Sequence, residues 1–404
     1  MCFDESKLCI KHNSYRDTRT IEFWEDFKEG NQLYEFTKLI QSQPELQLLF
    51  RGNGNEPSAT IYRDNHMVWN IKKITDGYEI KINFAHAKYY TDHDCLKKKL
   101  KNLNFEFDEK EYAKCKVSSL EEVKNVVGTY EDVMQKMFDT FFEYKNNTKA
   151  YFKASKRVKK PEIEKIFQQY LFTNVLNGED KSNGYYAFDM EFQQPYPCTA
   201  YRDSRGDTNK PDMLAIKFEN NEYKLVLIEV KSKYSSCGGS SGFDKHLDGM
   251  GKYLEEQIFG EYVIINRMKD AIKIIKTYKE LEIKGFNNGA IPYCLNKFFE
   301  HDFTIDKFKG YEILFIFTDE IIDSECENYN YVPKANEANG SIKWLEFLKE
   351  GKRKGWAEAK QNVLKKIDEI KTKEYKGPLD DDIMKANIKF MTFTKKLGLT
   401  EVSL

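Results

Sequence analysis

The chain has 404 residues, of which 40% are hydrophobic, 14% aromatic and 32% charged, enough for two or three domains with cores of their own. Its 64 basic and 65 acidic residues leave a net charge of −1, which excludes a polycation that holds nucleic acid by its global field; any such site must be a local patch. Disorder is excluded by the apolar content, no run of about 18 apolar residues could span a bilayer, and the opening MCFDESKLCIKHNSYRD lacks a basic stretch followed by an apolar one, so a cytoplasmic protein is expected.

In chain order, TIEFWEDFKEGNQLYEFTKLIQS reads as helix by its apolar spacing, and ATIYRDNHMVWNIKKITDGYEIKINFAHA as strands about an Asp76-Gly77 turn. SSLEEVKNVVGTYEDVMQKMFDTFFEYKNN reads as one long helix. Residues 1–150 are therefore expected to form an N-terminal α/β domain, with an accessory or sensing role. A basic connector follows, NNTKAYFKASKRVKKP, ending on Pro161 at a suitable first helical position. The next domain, 151–334, reads as a helix from Glu162 to Asn177, then strands from Tyr185 to Phe192, Asp212 to Phe218 and Tyr223 to Lys231. A glycine-rich loop, a helix from Phe243 to Glu256, further helix and a strand from Tyr311 to Phe317 complete it. The last part, 335–404, reads as a charged helical segment. The eight cysteines are scattered without a CxxC pair, the pattern of ordinary reduced thiols rather than of a four-ligand zinc site.

The informative stretch is KPDMLAIKFENNEYKLVLIEVKSK, residues 210–233, in which two apolar runs carry charge where a core would want none. Glu219-Asn220-Asn221-Glu222 separates them as a turn signal, so they should pair as an antiparallel hairpin centred between the two asparagines. That centre sets Asp212 directly across from Glu229, and facing residues share a face with Cβ atoms about 5 Å apart. Two carboxylates so placed repel unless something positive lies between them, and a divalent cation with oxygen ligands is the natural candidate. Strand alternation puts Lys231 on the face of both acids and turns Val230 away from it.

Pro211-Asp212 and Glu229-Val230-Lys231, joined by such a hairpin, resemble the PD-(D/E)XK nuclease superfamily over roughly residues 160–320. The E-x-K triplet alone carries little weight, since it recurs at Glu79, Glu122, Glu143, Glu222, Glu282, Glu369 and Glu374; only at Glu229 do a Pro-Asp and an apolar run precede it. The best competitor, Asp64 with Glu79 and Lys81, does not fit a turn at Asp76-Gly77. The resemblance implies a restriction-endonuclease-like core, a mixed sheet flanked by helices, within an α/β chain. It implies that Asp212, Glu229 and the Val230 carbonyl hold Mg²⁺, with Mn²⁺ as a substitute, and that Lys231 orients or deprotonates the attacking water. A bound metal lowers the pKa of its water and offsets charge on the phosphorane.

Further candidates lie on the flanking helices. The resemblance calls for an acid on the preceding helix, and Glu164, roughly 80° from the centre of that helix's apolar stripe, is better placed to reach the sheet than Glu162; a solvated flank is the competing reading. It also calls for a Gln or Lys on the following helix, where Gln257 lies roughly 60° from the buried face. Asp189 and Glu191 alternate on the preceding strand as weaker candidates. Lys156, Arg157, Lys159 and Lys160 in the connector are the expected contacts to a nucleic-acid backbone. The expected function is a Mg²⁺-dependent endonuclease acting on DNA in a restriction or antiphage defence setting. It has no membrane role, assembles as a homodimer or larger, and has scope for a protein partner on the N-terminal domain. The alternatives are a repair, recombination or transposon-end nuclease, and a non-cleaving nucleic-acid-binding module on the same fold.

Overall fold

The computed structural model describes residues 20–43, 45–53, 56–63, 66–84, 93–108, 112–146, 167–168, 170–176, 184–190, 194–195, 208–209, 211–219 and 222–231. Beyond these it describes 243, 246–247, 249–250, 274–283, 308–317, 330–331, 342–343, 361–362, 364–365, 367–369, 388–394 and 397–402. The chain divides into two compact units, one on Arg19–Ile166 with Ile321–Lys354, the other on Phe167–Glu320 with Gly355–Leu404 and Met1–Thr18.

The first unit carries a six-stranded antiparallel sheet of β1 (Leu46–Asn53), β2 (Glu56–Arg63), β3 (His66–Ile74), β4 (Gly77–Asn83), β5 (Glu106–Phe107) and β6 (Tyr112–Val117), ordered β1-β2-β3-β4-β6-β5. Helices α1 (Thr20–Glu25), α2 (Tyr34–Ser42), α3 (His93–Asn102), α4 (Leu120–Thr129) and α5 (Gln135–Asn146) accompany it. The helix expected over residues 20–42 is broken in two, because Gly30 adopts φ +83° and the Asn31 side chain donates to the Glu25 carbonyl at 2.7 Å. The long helix expected at 118–147 is present as α4 and α5, joined by a π-helical turn at Tyr130–Met134 and started by a reciprocal capping box of Ser119 and Glu122.

The β3–β4 turn lies one residue earlier than expected. Ile74 pairs with Gly77, so Thr75 and Asp76 form the loop and Gly77 is already in the strand. Glycine is needed there twice over: its φ is +129°, and a Cβ would sit 2.2 Å from the Val117 carbonyl oxygen. This register sets Glu79 between Lys72 on β3 and Lys116 on β6, an ordinary cross-strand charge pairing. Asp64 lies outside the described residues.

The second unit carries the candidate site. Its sheet contains β7 (Tyr185–Met190), β10 (Met213–Glu219), β11 (Glu222–Lys231), β12 (Phe308–Phe317), β15 (Ile388–Thr394) and β16 (Gly398–Glu401) in sequential order from edge to edge. Two-residue pairs, β8 (Gln194–Pro195) with β9 (Thr208–Asn209) in this unit and β13 (Asn330–Tyr331) with β14 (Ile342–Lys343) in the first, complete the strands among the described residues. The pairs β7–β10, β10–β11 and β15–β16 are antiparallel, whereas β11–β12 and β12–β15 are parallel, so the sheet is mixed. Every residue of β11 from Leu225 to Lys231 is buried, the pattern of a central strand covered on both faces.

Aromatic contacts identify the covers. Phe243 packs on Phe315, Phe317 and Phe390, with ring centroids at 4.8, 6.3 and 5.2 Å, so the helical residues 243–250 lie over one face. Phe167 and Tyr170 pack on Phe393 at 5.9 and 5.7 Å. Phe390 and Phe393 differ in parity along β15, which places this second helix, ending in the π-helical turn Leu171–Leu176, over the opposite face. Each buried phenylalanine contributes on the order of 2 kcal/mol from the apolar area it removes from water.

The C-terminal segment departs from its expected helical character. The described residues of 361–369 are helical, but Ile388–Thr394 and Gly398–Glu401 are strands. The first, IKFMTFT, is rich in the β-branched and aromatic residues that strands favour, and Gly398 at φ +66° closes the hairpin back onto β15.

Candidate active site at the end of the central strand

The β10–β11 hairpin has the register that its asparagine turn implies: Glu219 pairs with Glu222 and Met213 with Ile228. One step further, that register sets Asp212, the residue before β10, across from Glu229. The parallel neighbours define the face. Glu229 is in register with Phe315 and Lys231 with Phe317, and Phe315 is in turn paired with Phe390. These are the rings under Phe243, so Glu229 and Lys231 lie beneath the helix at 243–250, while Val230, fully buried, faces away.

The side chains at this end are held by direct contacts. Glu229 is 1% and Lys231 4% exposed, and the Lys231 ammonium donates to Glu229 Oε1 at 2.5 Å. His246 reaches the same oxygen through Nδ1 at 3.1 Å, and its Nε2 lies 3.5 Å from Lys231 Nζ. Glu229 Oε2, equally out of contact with water, has no hydrogen-bond partner among the described residues. Asp212 is half-buried, and its Oδ2 accepts the Val230 backbone N–H at 2.7 Å. Each of the two facing acids has a partner of its own. One acid is neutralised by Lys231 and the other is held by a main-chain donor.

Asp189, 1% exposed on β7, is in register with Leu214, which pairs with Leu227, so it shares the face of Glu229 at the same end of the sheet. Its Oδ1 accepts the Met190 N–H at 2.8 Å. Among the described residues no group of three or more His, Cys, Asp or Glu is close enough to hold a metal ion. The residues that fit a cation best are Glu229, with its bare buried oxygen, and Asp212 opposite; a buried anionic oxygen without a donor is costly unless a cation or water meets it.

His246 is the contact that sequence reasoning missed. It lies roughly 65° from the centre of the stripe formed by Phe243, Leu247 and Met250, the flank position by which Gln257 was singled out. Glu164, Gln257, Glu191, the glycine-rich loop 235–242 and the basic residues Lys156, Arg157, Lys159 and Lys160 lie outside the described residues.

A second charged cluster occupies the opposite face. Glu312, fully buried, is in register with Val226; it accepts the Tyr185 hydroxyl through Oε1 and meets Lys389 at 3.5 Å through Oε2. Burial, followed by the neighbouring Glu312 charge, pushes the Tyr185 phenol far above its ordinary value. This cluster ties β7, β12 and β15 together from behind.

Comparisons with protein-family models, with curated proteins and with solved structures found no match. Among the described residues no helix is long and apolar enough to cross a membrane.

Proposed function

We propose that the chain is a metal-dependent endonuclease of the PD-(D/E)XK type that hydrolyses DNA phosphodiester bonds in the cytoplasm, in a microbial restriction or antiphage setting. The observation that carries this reading is Glu229. It is a carboxylate sunk at the end of the central strand, with one oxygen bonded by Lys231 and approached by His246, the other without a hydrogen-bond partner among the described residues, and with Asp212 across the hairpin. The mixed sheet with helices on both faces supports the restriction-endonuclease-like core that the resemblance implies.

Asp212, Glu229 and the Val230 carbonyl would hold Mg²⁺ or Mn²⁺, which supplies an acidified water and offsets charge on the phosphate. The chain's own groups do the rest. Lys231, bonded to a carboxylate, is an ammonium that donates; this supports its orienting the attacking water and facing the developing negative charge, over its acting as base. The Val230 N–H fixes Asp212, so that its carboxylate does not swing into solvent. In the overall reaction water adds to phosphorus, the P–O bond to the leaving sugar breaks, and the proton lost by water is balanced by the one gained at the leaving oxygen. Because one such site cuts one strand, the active form would be a homodimer or larger.

The test is incubation with plasmid, linear duplex, single-stranded DNA and RNA, each with Mg²⁺, Mn²⁺ or EDTA. Cleavage of DNA that EDTA stops is expected, and no cleavage of any substrate with either metal overturns the proposal.

A further inference from the structure

Two nitrogens crowd one oxygen of Glu229, while the other, in the same buried pocket, has no hydrogen-bond partner among the described residues. A buried carboxylate beside a single ammonium would be free to chelate it with both oxygens. Here His246 takes part of that role, since its Nδ1 is 3.1 Å from Oε1. For Nδ1 to donate across this contact it must carry the ring proton, and Nε2 lies 3.5 Å from Lys231 Nζ. One ring thus stands against both the carboxylate and the ammonium. Its place is fixed one helical turn earlier by Phe243, wedged among Phe315, Phe317 and Phe390. The side chain is 28% exposed, so the ring stands between the buried pair and solvent.

We propose that His246 is a positioning residue of this site: with Lys231 it clamps Glu229 through Oε1, leaving Oε2 as the single oxygen presented to the cation. The inference rests on the nuclease reading above. Partners that orient a metal-holding side chain are worth roughly 10- to 100-fold in metal affinity or activity when removed.

The experiment compares wild type with His246→Asn, His246→Gln and His246→Leu. Mn²⁺ binding is measured calorimetrically without DNA, and cleavage is followed against Mn²⁺ concentration. An Asn amide places its N–H where Nδ1 stands, a Gln amide does not, and Leu offers none. His246→Leu should weaken Mn²⁺ binding and raise the half-saturating Mn²⁺ by about 10- to 100-fold. His246→Asn should recover most of this loss and His246→Gln little of it. Should His246→Leu fail to fold, the Asn and Gln variants carry the comparison alone. Equal behaviour of His246→Asn and His246→Gln overturns the clamp, as does a wild-type ¹⁵N spectrum showing the Nε2–H tautomer of His246; either result leaves the nuclease reading standing. A wild-type protein that neither binds Mn²⁺ nor cleaves DNA overturns that reading, and the positioning role with it.

Discussion

Glu229 and Lys231, two residues apart on one face of β11, close on each other at 2.5 Å with 1% and 4% of their surfaces exposed. Removing one member of a buried pair strands the other charge, whereas replacing both with apolar groups is often neutral. Lys231→Met alone should therefore lower stability by about 3–5 kcal/mol. The Glu229→Leu/Lys231→Met double variant should recover much of the loss, read by urea unfolding at neutral pH. Equal losses in the single and double variants would show that the charges are not coupled.

Isosteric changes separate chemistry from folding. Glu229→Gln and Asp212→Asn should each reduce DNA cleavage to background. The Asn carbonyl can still accept the Val230 N–H, so Asp212→Asn should alter stability by only about 1 kcal/mol. Full cleavage by Glu229→Gln would sink the site assignment.

The connector addresses DNA binding. If Lys156, Arg157, Lys159 and Lys160 contact phosphates, changing them to Ala should weaken binding alike across sequences. The salt dependence should flatten by about one unit of slope per lost contact. An unchanged slope assigns these side chains to solvent.

Two antiparallel strands present their scissile phosphates to opposite directions, and one PD-then-ExK hairpin exists in the 404 residues. Light scattering should show a dimer or larger, and plasmid should become linear with little nicked circle. A monomer that only nicks would refute the assembly and leave the catalytic assignment intact.

The rear cluster predicts an alkaline weakness. A phenol whose folded pKa is raised contributes stability below its ordinary value of 10.0 and loses it as pH climbs from there toward the folded value. Wild type should lose stability as pH rises above about 10. Tyr185→Phe should remove that part of the slope, at a cost near neutrality of about 1–3 kcal/mol for the orphaned Glu312 oxygen. An identical slope in the variant would place the alkaline loss elsewhere.

The hairpin at the centre of the site was legible in the sequence because everything that sets it is local. The turn signal in the sequence at Asn220-Asn221 implies the register observed between Glu219 and Glu222, and strand alternation determines the faces, so Asp212, Glu229 and Lys231 follow from counting. The long helix announced by Ser119 and Glu122 was legible for the same reason. Where a local signal was misjudged, as at Gly30 and Gly77, the deciding factor was a positive φ or a close backbone approach that residue spacing does not reveal. Strands β1 and β6 and helix α3 were not drawn from the sequence at all; of these, β6 is completed by β4, with helix α3 intervening in the chain.

What only the tertiary structure decided is how that hairpin is used. Strand β11 must be covered on both faces, and its parallel neighbour β12 and, beyond that, β15 come from past residue 300, which turned a presumed helical tail into part of the sheet. The helix laid over Phe315, Phe317 and Phe390 carries His246 onto Glu229 from 17 positions away, a distance no periodicity encodes. Sequence alone therefore determined which charges share a face, because strand geometry is a property of neighbouring residues. Burial, and with it the choice of which carboxylate oxygen is bonded and which is bare, depends on long-range packing and was settled only when the chain folded.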